Sequence, residues 1–467
     1  MNTVSEQNSS PAVRDYDIDE YVPMEARYYG IKEMASVWIC ANANPTSWYM
    51  GTIIGALGLS GAFLSAIISN PLVYLILALV GIMGFRVASS TMGLVRVPFG
   101  VVGSKLPSFI NALQFVGWCG VNTYIAAVPL SNLITSFTHG DPTSTPMIVL
   151  SVVIILAITS LIAIFGGAKW IGFAQNLAVI CLIILSVWIS VQVFRTFSLD
   201  SIATWTLDSR SENLSWSITF GSAMDSFAAF GFAWVMAVAD YTRYTKSKTA
   251  ATVAPMAGAA FGMLWFCMIG AVSAIAVAVL NGGIFDPMSA DLSYICSSLG
   301  MGQIANLLIV LSTIAVNMIN VYSGGFSAAN VSRKLSPKLS MCIISAGALL
   351  LALTPLLFDS FLDTFQIFLG YLGAVFPPCI AILVVDYYFI RKKEYDITQF
   401  QAKDGPYWYW KGINPTAIVC FLLGVVTYFA GQQLPFIMST IGAVFFCFLV
   451  TGLLYFVSAK LLRKPVM

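Results

Sequence analysis

The sequence predicts an all-α polytopic membrane protein with twelve transmembrane helices, and two observations predict this fold class. Only 9% of the 467 residues are charged and 58% are hydrophobic, whereas soluble domains are about 25% charged and about 45–50% apolar. The charges cluster in short connectors. Between them lie uncharged runs of about 20 residues, the length that crosses a hydrocarbon core of about 30 Å. This composition excludes a cytosolic enzyme and a disulfide-stabilised secreted domain.

Twelve apolar runs account for the predicted spans, and short polar connectors separate them. The predicted bounds are 34–58, 62–85, 107–136, 146–166, 169–194, 216–239, 252–280, 303–325, 338–358, 364–390, 414–431 and 435–459. Outside these spans the sequence predicts a polar tail over 1–33, a loop over 391–413 and a short tail over 460–467.

The distribution of basic residues predicts the orientation of the spans. Of the 23 Lys and Arg residues, only Arg195 and Arg210 fall in connectors on the side opposite to the N-terminus. Because cytoplasmic connectors carry an excess of Lys and Arg, we expect both termini and the loop over 391–413 to be cytoplasmic. The polar, acidic start of the chain lacks the features of a cleavable signal peptide. We therefore expect a multi-pass protein of a bacterial plasma (inner) membrane.

Net charge and reactive side chains exclude several other functions. The formal net charge of +2 indicates no polyanionic partner, so we expect no nucleic-acid binding. The nine cysteines show no CxxC spacing and His139 is the only histidine, so the sequence predicts neither a zinc site nor a histidine-dependent catalytic centre. No nucleophile–base pair or phosphate-binding loop is visible. We therefore expect a protein that is not an enzyme and needs no cofactor.

Two predicted spans are interrupted near mid-depth. The first contains the polar stretch 42–47 where a lipid-facing helix would be apolar, and the sixth contains Gly231 near its middle. Interrupted helices at corresponding positions of two halves indicate an inverted-repeat transporter with its site at the breaks. The interrupted spans are the first and the sixth, so they lie five spans apart. The alternative is a proline kink in the first span and a packing glycine in the sixth.

The third span carries an aromatic ring and an amide on one helical face. Trp118 and Asn122 are four residues apart, so their side chains project from the same face about one turn apart. A planar heterocycle could stack on the indole while the amide of Asn122 donates to and accepts from its edge. The alternative is that Trp118 packs within the bundle and Asn122 hydrogen-bonds to another helix.

The eighth span holds polar side chains at a density unsuited to lipid exposure: Ser312, Thr313, Asn317 and Asn320. The two hydroxyls, together with carbonyl groups of an unwound helix, would form an all-oxygen site for a small hard cation. The two amides could complete a substrate site. The alternative is hydrogen bonding between helices.

The sixth span supplies aromatic and acidic candidates. Trp234 could form a second aromatic wall opposite Trp118; Phe230 and Phe232 are alternatives, and Phe232 is included in the predicted substrate site. Asp225 is the one carboxylate that the sequence places well inside a span. Since an intramembrane ionisable residue is a functional candidate by default, Asp225 is a candidate proton carrier.

Several motifs together resemble the nucleobase:cation symporter-1 family, specifically its purine–cytosine permease branch. They lie between residues 20 and 395 and comprise 21–27, Trp38 with Ala41 and Asn42, 99–107, Gly117 and Trp118 with Asn122, 240–243, and Ser312 and Thr313 with Asn317 and Asn320. Each motif is short, but their order in a chain of twelve predicted spans is specific.

The resemblance implies a LeuT-like fold, in which a 5+5 inverted repeat is followed by two C-terminal helices. The first five-helix repeat would cover 34–194, the second 195–390, and helices 11 and 12 would lie within 414–459. It also implies alternating access to a site between spans one, three, six and eight. It implies that Trp118 stacks on the substrate and that Asn122 binds its edge. The further contacts that it implies are Trp234, Asn317, Asn320 and Ser47.

The resemblance also implies a cation site. A sodium ion would be held by Ala41, Asn44, Ser312 and Thr313, whereas other members of the branch use protons. The sequence departs from the family at Ile319, where fungal-like members have proline, and at Asn44-Pro45 in the first span.

These observations predict a symporter that imports a nucleobase such as cytosine or a purine, coupled to H⁺ or Na⁺, and that functions as a monomer. The alternative is a permease of the same fold for allantoin, hydantoin or a vitamin-type pyrimidine. A membrane enzyme or receptor is the competing class, which the missing catalytic groups disfavour. A channel is disfavoured because no continuous polar stripe or ring of like charge is visible.

Overall fold

The computed structural model describes residues 20–207, 218–285, 291–331, 335–357 and 361–462. Across these ranges the chain is predominantly helical and contains no β-strand. Nine helical segments within them are long and apolar enough to cross a bilayer. The all-α membrane fold is therefore confirmed, while the count of twelve spans stays a prediction.

The helices before residue 208 begin and end close to the predicted spans, apart from the divided first span. They are α1 (Ile31–Asn42), α2 (Pro45–Ile54), α3 (Gly58–Val87), α4 (Thr91–Phe99), α5 (Lys105–Thr138), α6 (Thr145–Leu161), α7 (Gly167–Thr196) and α8 (Leu199–Ala203).

The helices after residue 217 include a second divided span. They are α9 (Phe220–Val235), α10 (Val238–Thr242), α11 (Lys248–Ala251), α12 (Val253–Leu280), α13 (Leu292–Ser298), α14 (Gly302–Val331), α15 (Pro337–Ala352), α16 (Phe361–Val385), α17 (Pro415–Gln432), α18 (Pro435–Ser439) and α19 (Gly442–Leu462). The predicted twelfth span began at residue 435, whereas the structure has the short α18 there and begins α19 at Gly442.

The predicted interruption of the first span is confirmed. Helix α1 ends at Asn42, and α2 begins at Pro45 with Asn44 as its N-cap. The Oδ1 of Asn44 accepts from the backbone N–H of Ser47 at 3.0 Å. Tyr74 on α3 donates to Oδ1 of Asn42 at 2.6 Å. The break is thus a defined turn, because a side chain satisfies a donor at the start of α2 and a neighbouring helix fixes the end of α1.

The interruption of the sixth span lies at Met236–Ala237 rather than at Gly231, so the predicted position is wrong. Gly231 is within α9, and a Cβ there would lie 2.6 Å from Cγ1 of Val73 on α3. This glycine therefore serves close packing. The break coincides with a contact distant in sequence, since the hydroxyl of Thr91 at the start of α4 accepts from the N–H of Ala239 on α10.

The contact between Thr91 and α10 is reciprocal. The backbone N–H of Thr91 donates to Oδ1 of Asp240 at 2.9 Å, and the Thr91 hydroxyl accepts from the N–H of Ala239 at 3.1 Å. Helix α4 is buried between α10, α16 and α17, and its side chains Leu94 and Val97 are fully buried. The start of α4 therefore fixes where the second half of the sixth span goes.

Two ends of the bundle can be distinguished. The termini end contains residues 20–30, 88–104, 240–248 and 386–414. There the N–H groups of Tyr28 and Tyr29 donate to the carbonyl of Tyr244, each at 3.0 Å. The opposite end contains the connectors after α5, α7, α12 and α17. At that end Trp205 Nε1 donates to the Gly283 carbonyl at 3.1 Å.

A glycine seam on α12 packs directly against both halves of the first span. Added Cβ atoms at Gly258, Gly262 and Gly270 would lie 2.6, 2.7 and 2.1 Å from the carbonyl oxygens of Ala35, Ile39 and Trp48. Small residues at such spacing let helix backbones approach closely in a membrane. The seam positions α1 and α2 on one continuous helix, with their break facing the interior.

Candidate substrate and cation sites

The predicted aromatic–amide face on α5 lies inside the bundle. The indole of Trp118 is 8% exposed. Its ring centroid is 5.1 Å from that of Phe230 on α9 and 4.9 Å from that of Phe368 on α16, with interplanar angles of 71° and 85°. The two phenyl rings thus meet the indole edge-on, an arrangement favoured between aromatic rings. The aromatic neighbour of Trp118 on α9 is Phe230.

Asn122 joins α5 to the first turn of α2. Its Oδ1 accepts a hydrogen bond from the hydroxyl of Thr46. Ser47, predicted as the span-one contact, is fully buried, and its hydroxyl lies 3.4 Å from Oδ1 of Asn44 within the helix cap. Thr46 is therefore the span-one side chain that the structure brings to Asn122, and Ser47 lies one residue further along α2.

Gln114 is a candidate that the sequence analysis did not identify. It lies four residues before Trp118, and its Nε2 donates to the Ala233 carbonyl on α9 at 3.3 Å. Its Oε1 is buried and has no hydrogen-bond partner within the described part of the chain. The signal was available, because residues 114, 118 and 122 follow the four-residue spacing of one helical face.

Trp234 lies with the aromatic residues nearer the termini end. Its ring meets that of Trp38 on α1 at 5.9 Å and 80°, and Trp38 meets Tyr241 on α10 at 5.9 Å and 72°. The Nε1 of Trp38 is buried with no hydrogen-bond partner among the described residues. The rings of Trp234 and Trp38 therefore join the two broken spans on the side of Trp118 that is nearer the termini end.

Phe232 is not brought to this site. Its ring packs against Phe445 and Phe448 of α19 at 6.2 and 5.2 Å, and it is fully buried there. Residues two apart on an α-helix point about 200° apart, so Phe230 and Phe232 cannot both face Trp118. The structure thus places Phe230, and not Phe232, beside Trp118; contact of either ring with the substrate stays a prediction.

Asn317 and Asn320 hydrogen-bond within the bundle. The Nδ2 of Asn317 donates to the Cys119 carbonyl at 3.1 Å and to the Thr123 hydroxyl at 2.9 Å, both on α5. Asn320 Nδ2 donates to Oδ1 of Asn317 at 3.2 Å. Asn317 thus fixes α14 against α5, as the alternative interpretation expected, on the face adjacent to that of Trp118.

The four predicted cation ligands are oxygen groups that lie at the first break or in the middle of α14. The hydroxyls of Ser312 and Thr313 both donate to the Ile309 carbonyl, at 2.9 and 2.8 Å. Their protons are therefore used within the helix, and the oxygen lone pairs stay available to a cation. At the break, the Ala41 carbonyl accepts from Nδ2 of Asn44 at 2.8 Å, which leaves it one lone pair. All four groups are oxygen donors, the ligand type that a small hard cation prefers.

Asp225 anchors a distant helix. Its two carboxylate oxygens accept from the backbone N–H groups of Ala443 and Val444, at 2.9 and 2.8 Å, at the start of α19. Gly442 precedes them at φ +76°, where an added Cβ would lie 2.2 Å from Oδ1 of Asp225. A carboxylate at a helix N-terminus is stabilised by the free N–H groups. Asp225 therefore has a structural contact, and proton carriage stays a prediction.

Comparison with known proteins identifies the family. Residues 21–457 match the family model described as permease for cytosine/purines, uracil, thiamine, allantoin. The chain belongs to this permease family. Among its relatives, YxlA of Bacillus subtilis, whose name places it with the purine-cytosine permeases, is 27% identical over 90% of this chain and 87% of its own. The purine-cytosine permease FCY2 of Saccharomyces cerevisiae is 27% identical over 78% of this chain and 68% of its own.

Solved structures support the fold of this permease. Mhp1, a nucleobase-cation-symport-1 family transporter in a closed conformation with bromovinylhydantoin bound, matches 98% of each chain with a TM-score of 0.75 and 19% identity. The predicted LeuT-like architecture is therefore confirmed. The permease is a multi-pass membrane transporter of the nucleobase:cation symporter-1 family, as the resemblance implied.

Proposed function

We propose that this permease imports a neutral nucleobase such as cytosine or a purine, together with Na⁺ or H⁺, by alternating access. The observation that carries the proposal is the α5 face formed by Gln114, Trp118 and Asn122. It presents one flat ring between two amides, the combination that suits a planar ring with a hydrogen-bonding edge. Both neighbouring spans, the first and the sixth, are broken beside this face.

In the proposed complex the base stacks on Trp118, and the amides read its edge. Asn122 both donates and accepts, and the buried Oε1 of Gln114 accepts from an exocyclic amine or ring N–H. Phe368 lies against the indole in the present structure. Binding therefore requires Phe368 or Phe230 to move from the indole face.

An aromatic layer closes the opposite end of the bundle above Trp118. Phe361 of α16 stacks on Tyr124 of α5 at 4.6 Å and 25°, and Phe365 meets Tyr49 of α2 at 5.3 Å. With Phe368 on Trp118, one face of α16 covers the proposed site. We assign this end to the outside, so that the structure is closed toward the exterior and α16 must withdraw for substrate to enter.

The proposed coupling site lies between the first break and α14. A bound Na⁺ would supply positive charge that draws the Ala41 and Asn44 carbonyls toward the hydroxyls of Ser312 and Thr313. It would thereby hold the first span against α14 next to Thr46, which hydrogen-bonds to Asn122. Substrate affinity would rise because the cation and the base stabilise the same position of the first span. With H⁺ as coupling ion, Asp225 is the candidate carrier.

Orientation and assembly complete the proposal. We place both termini and the loop over 391–413 in the cytoplasm, since the connectors predicted on that side of the membrane carry nearly all Lys and Arg residues. The protein would act as a monomer in the plasma membrane. Each protomer holds its own substrate and cation residues, which supports a monomeric transport unit.

A second substrate class follows from the family's own range. Its description includes uracil, thiamine and allantoin, and the same ring-and-amide face would accept allantoin, a hydantoin or a vitamin-type pyrimidine. The exposed hydrogen-bonding edge decides among them, because a site built to pair with a substrate group rejects analogues that lack it.

The test is uptake of radiolabelled cytosine and adenine by cells that express the permease. Assays would be run with and without Na⁺, with and without a protonophore, and against unlabelled purines, pyrimidines, hydantoin and allantoin. Saturable, ion-dependent uptake that is lost in Trp118→Ala and Asn122→Ala supports the proposal. Trp410→Ala is the matched control, since the Trp410 side chain lies in the loop over 391–413 and is 65% exposed. Unimpaired uptake by both site variants would exclude the proposed site.

A further inference from the structure

A cavity lies at the opposite end of the bundle, behind α16 as seen from the proposed substrate site. It has a volume of about 460 Å³ and lies between α2, α9, α16 and α17. Its walls combine apolar residues such as Ile53 and Leu369 with polar ones, of which Asp225, Ser226, Gln366 and Tyr428 matter here. Neither Trp118 nor Asn122 lines this cavity, so it is separate from the proposed substrate site.

The outer part of α16 separates the cavity from the proposed substrate site. Phe361, Phe365 and Phe368 lie on one face and pack against Tyr49, Tyr124 and Trp118. Gln366, Ile367 and Gly370 line the cavity. Withdrawal of Phe368 from Trp118 therefore moves the helix toward the cavity, which must be empty to receive it.

The cavity has the polar groups of a binding site. The Nε2 of Gln366 is buried and has no hydrogen-bond partner among the described residues. A carboxylate has about four acceptor positions, and Asp225 uses two of them for α19. The cavity-lining residues Ile367 and Tyr371, both within the predicted tenth span, are 59% and 62% exposed. A ligand could therefore enter from the bilayer.

We propose that this cavity binds a compact amphiphile with an apolar body and an alcohol or amide head, and that its occupant inhibits transport without competing with substrate. The head accepts from Gln366 and donates to Asp225, while the body fills the space beside Gly370. The occupant keeps α16 against Trp118 and so prevents opening toward the exterior. This inference rests on the proposed function, in which opening at α16 admits the substrate.

The first test places a covalent occupant in the cavity. Ser226 is 6% exposed, and its hydroxyl donates only to the Ser222 carbonyl at 3.1 Å, so we expect Ser226→Cys to transport normally. Labelling with benzyl methanethiosulfonate should reduce maximal uptake about tenfold, within the usual range of allosteric coupling. Equilibrium binding of cytosine to the solubilised protein should be retained, and dithiothreitol should restore uptake.

Controls separate occupancy from chemistry. Methyl methanethiosulfonate adds only a methylthio group, and it should leave uptake by Ser226→Cys nearly unchanged. The same benzyl reagent applied to the unsubstituted protein reports on the nine native cysteines, of which Cys342 is exposed. Any loss of uptake in the unsubstituted protein would be subtracted from the loss in Ser226→Cys, and only the difference would be assigned to occupancy of the cavity.

The second test fills the cavity from α16 itself. A Cβ at Gly370 would meet only Oη of Tyr428, at 3.5 Å, so Gly370→Ala should transport normally. Gly370→Trp projects a large ring into the cavity and should reduce maximal uptake about tenfold. Leu350→Trp is the matched control for bulk, because Leu350 is 71% exposed on α15.

A readout independent of transport follows the gate directly. Tyr124 lies beneath Phe361, so in Tyr124→Cys a membrane-impermeant maleimide should react only when α16 withdraws. Gly370→Trp should slow this reaction about tenfold.

Each outcome decides between distinct conclusions. Full uptake by labelled Ser226→Cys, or unchanged labelling of Tyr124→Cys when Gly370→Trp is added, would overturn the inference and leave the proposed function intact. Loss of cytosine binding together with uptake would place the substrate in this cavity and overturn both. If the unsubstituted protein carries no nucleobase, the proposed function fails, and slowed maleimide labelling would still establish the effect of the cavity on α16.

Discussion

Asp225→Asn separates the two roles that the sequence and the structure suggest for this residue. Both carboxylate oxygens accept from backbone N–H groups at the start of α19. An asparagine has a single acceptor oxygen and turns its NH₂ group toward the second N–H. One hydrogen bond to a charged group is lost, which costs about 1.5–3 kcal/mol. The substitution should therefore loosen the N-terminus of α19.

The assay is thermal unfolding of the purified protein in detergent, with uptake measured in parallel. At about 1 °C per kcal/mol for a chain of 467 residues, the apparent Tm should fall by about 1.5–3 °C. Ser226→Ala is the matched control, since it removes only one bond to the Ser222 carbonyl and should shift the Tm by less. If Asp225→Asn keeps its Tm but uptake no longer depends on a proton gradient, the anchoring argument is refuted and Asp225 carries the proton.

Four further substitutions test the site and the fold. Trp118→Ala should raise the KM for cytosine about 5–150-fold, because stacking of a base on an aromatic ring contributes about 1–3 kcal/mol; concentration-dependent uptake measures this change, and an unaltered KM would contradict it. Gln114→Leu should keep the fold but change which bases compete, because the buried Oε1 acceptor is removed, and the inhibition panel reports it. Thr313→Val should raise the Na⁺ concentration needed for half-maximal uptake if Na⁺ is the coupling ion, without changing the pH profile. Gly270→Val should abolish folded protein on size-exclusion chromatography, because its Cβ would lie 2.1 Å from the Trp48 carbonyl oxygen; a normal elution profile would count against the seam.

Local sequence was sufficient to predict the break in the first span. Asn44 and Pro45 supply an N-cap and an N1 proline, and both act within one turn of the chain. The break in the sixth span has no such local signal. It depends on Thr91, which lies far away in the sequence and holds α10 through Asp240, and a distant contact of this kind leaves no periodic trace.

Helix phase limited the prediction of the site. Trp118 and Asn122 were identified because their spacing fixes a common face whatever the helix packs against. Choosing between Phe230 and Phe232 required knowledge of which side of α9 meets α5 and which meets α19. The polar residues of α14 were compatible both with ligand binding and with hydrogen bonding between helices. The hydrogen bond from Asn317 to the Cys119 carbonyl shows the second of these for Asn317.

The glycine seam on α12 holds the two halves of the broken first span in a fixed relation to each other. The backbones of α1 and α2 both pack against the single continuous helix α12. The break between α1 and α2 therefore cannot act as a free hinge. Any tilt of one half relative to the other must slide along α12 or carry it along. The first span and α12 should thus move as one rigid body. The conformational change needed for transport must then involve other helices, above all α16.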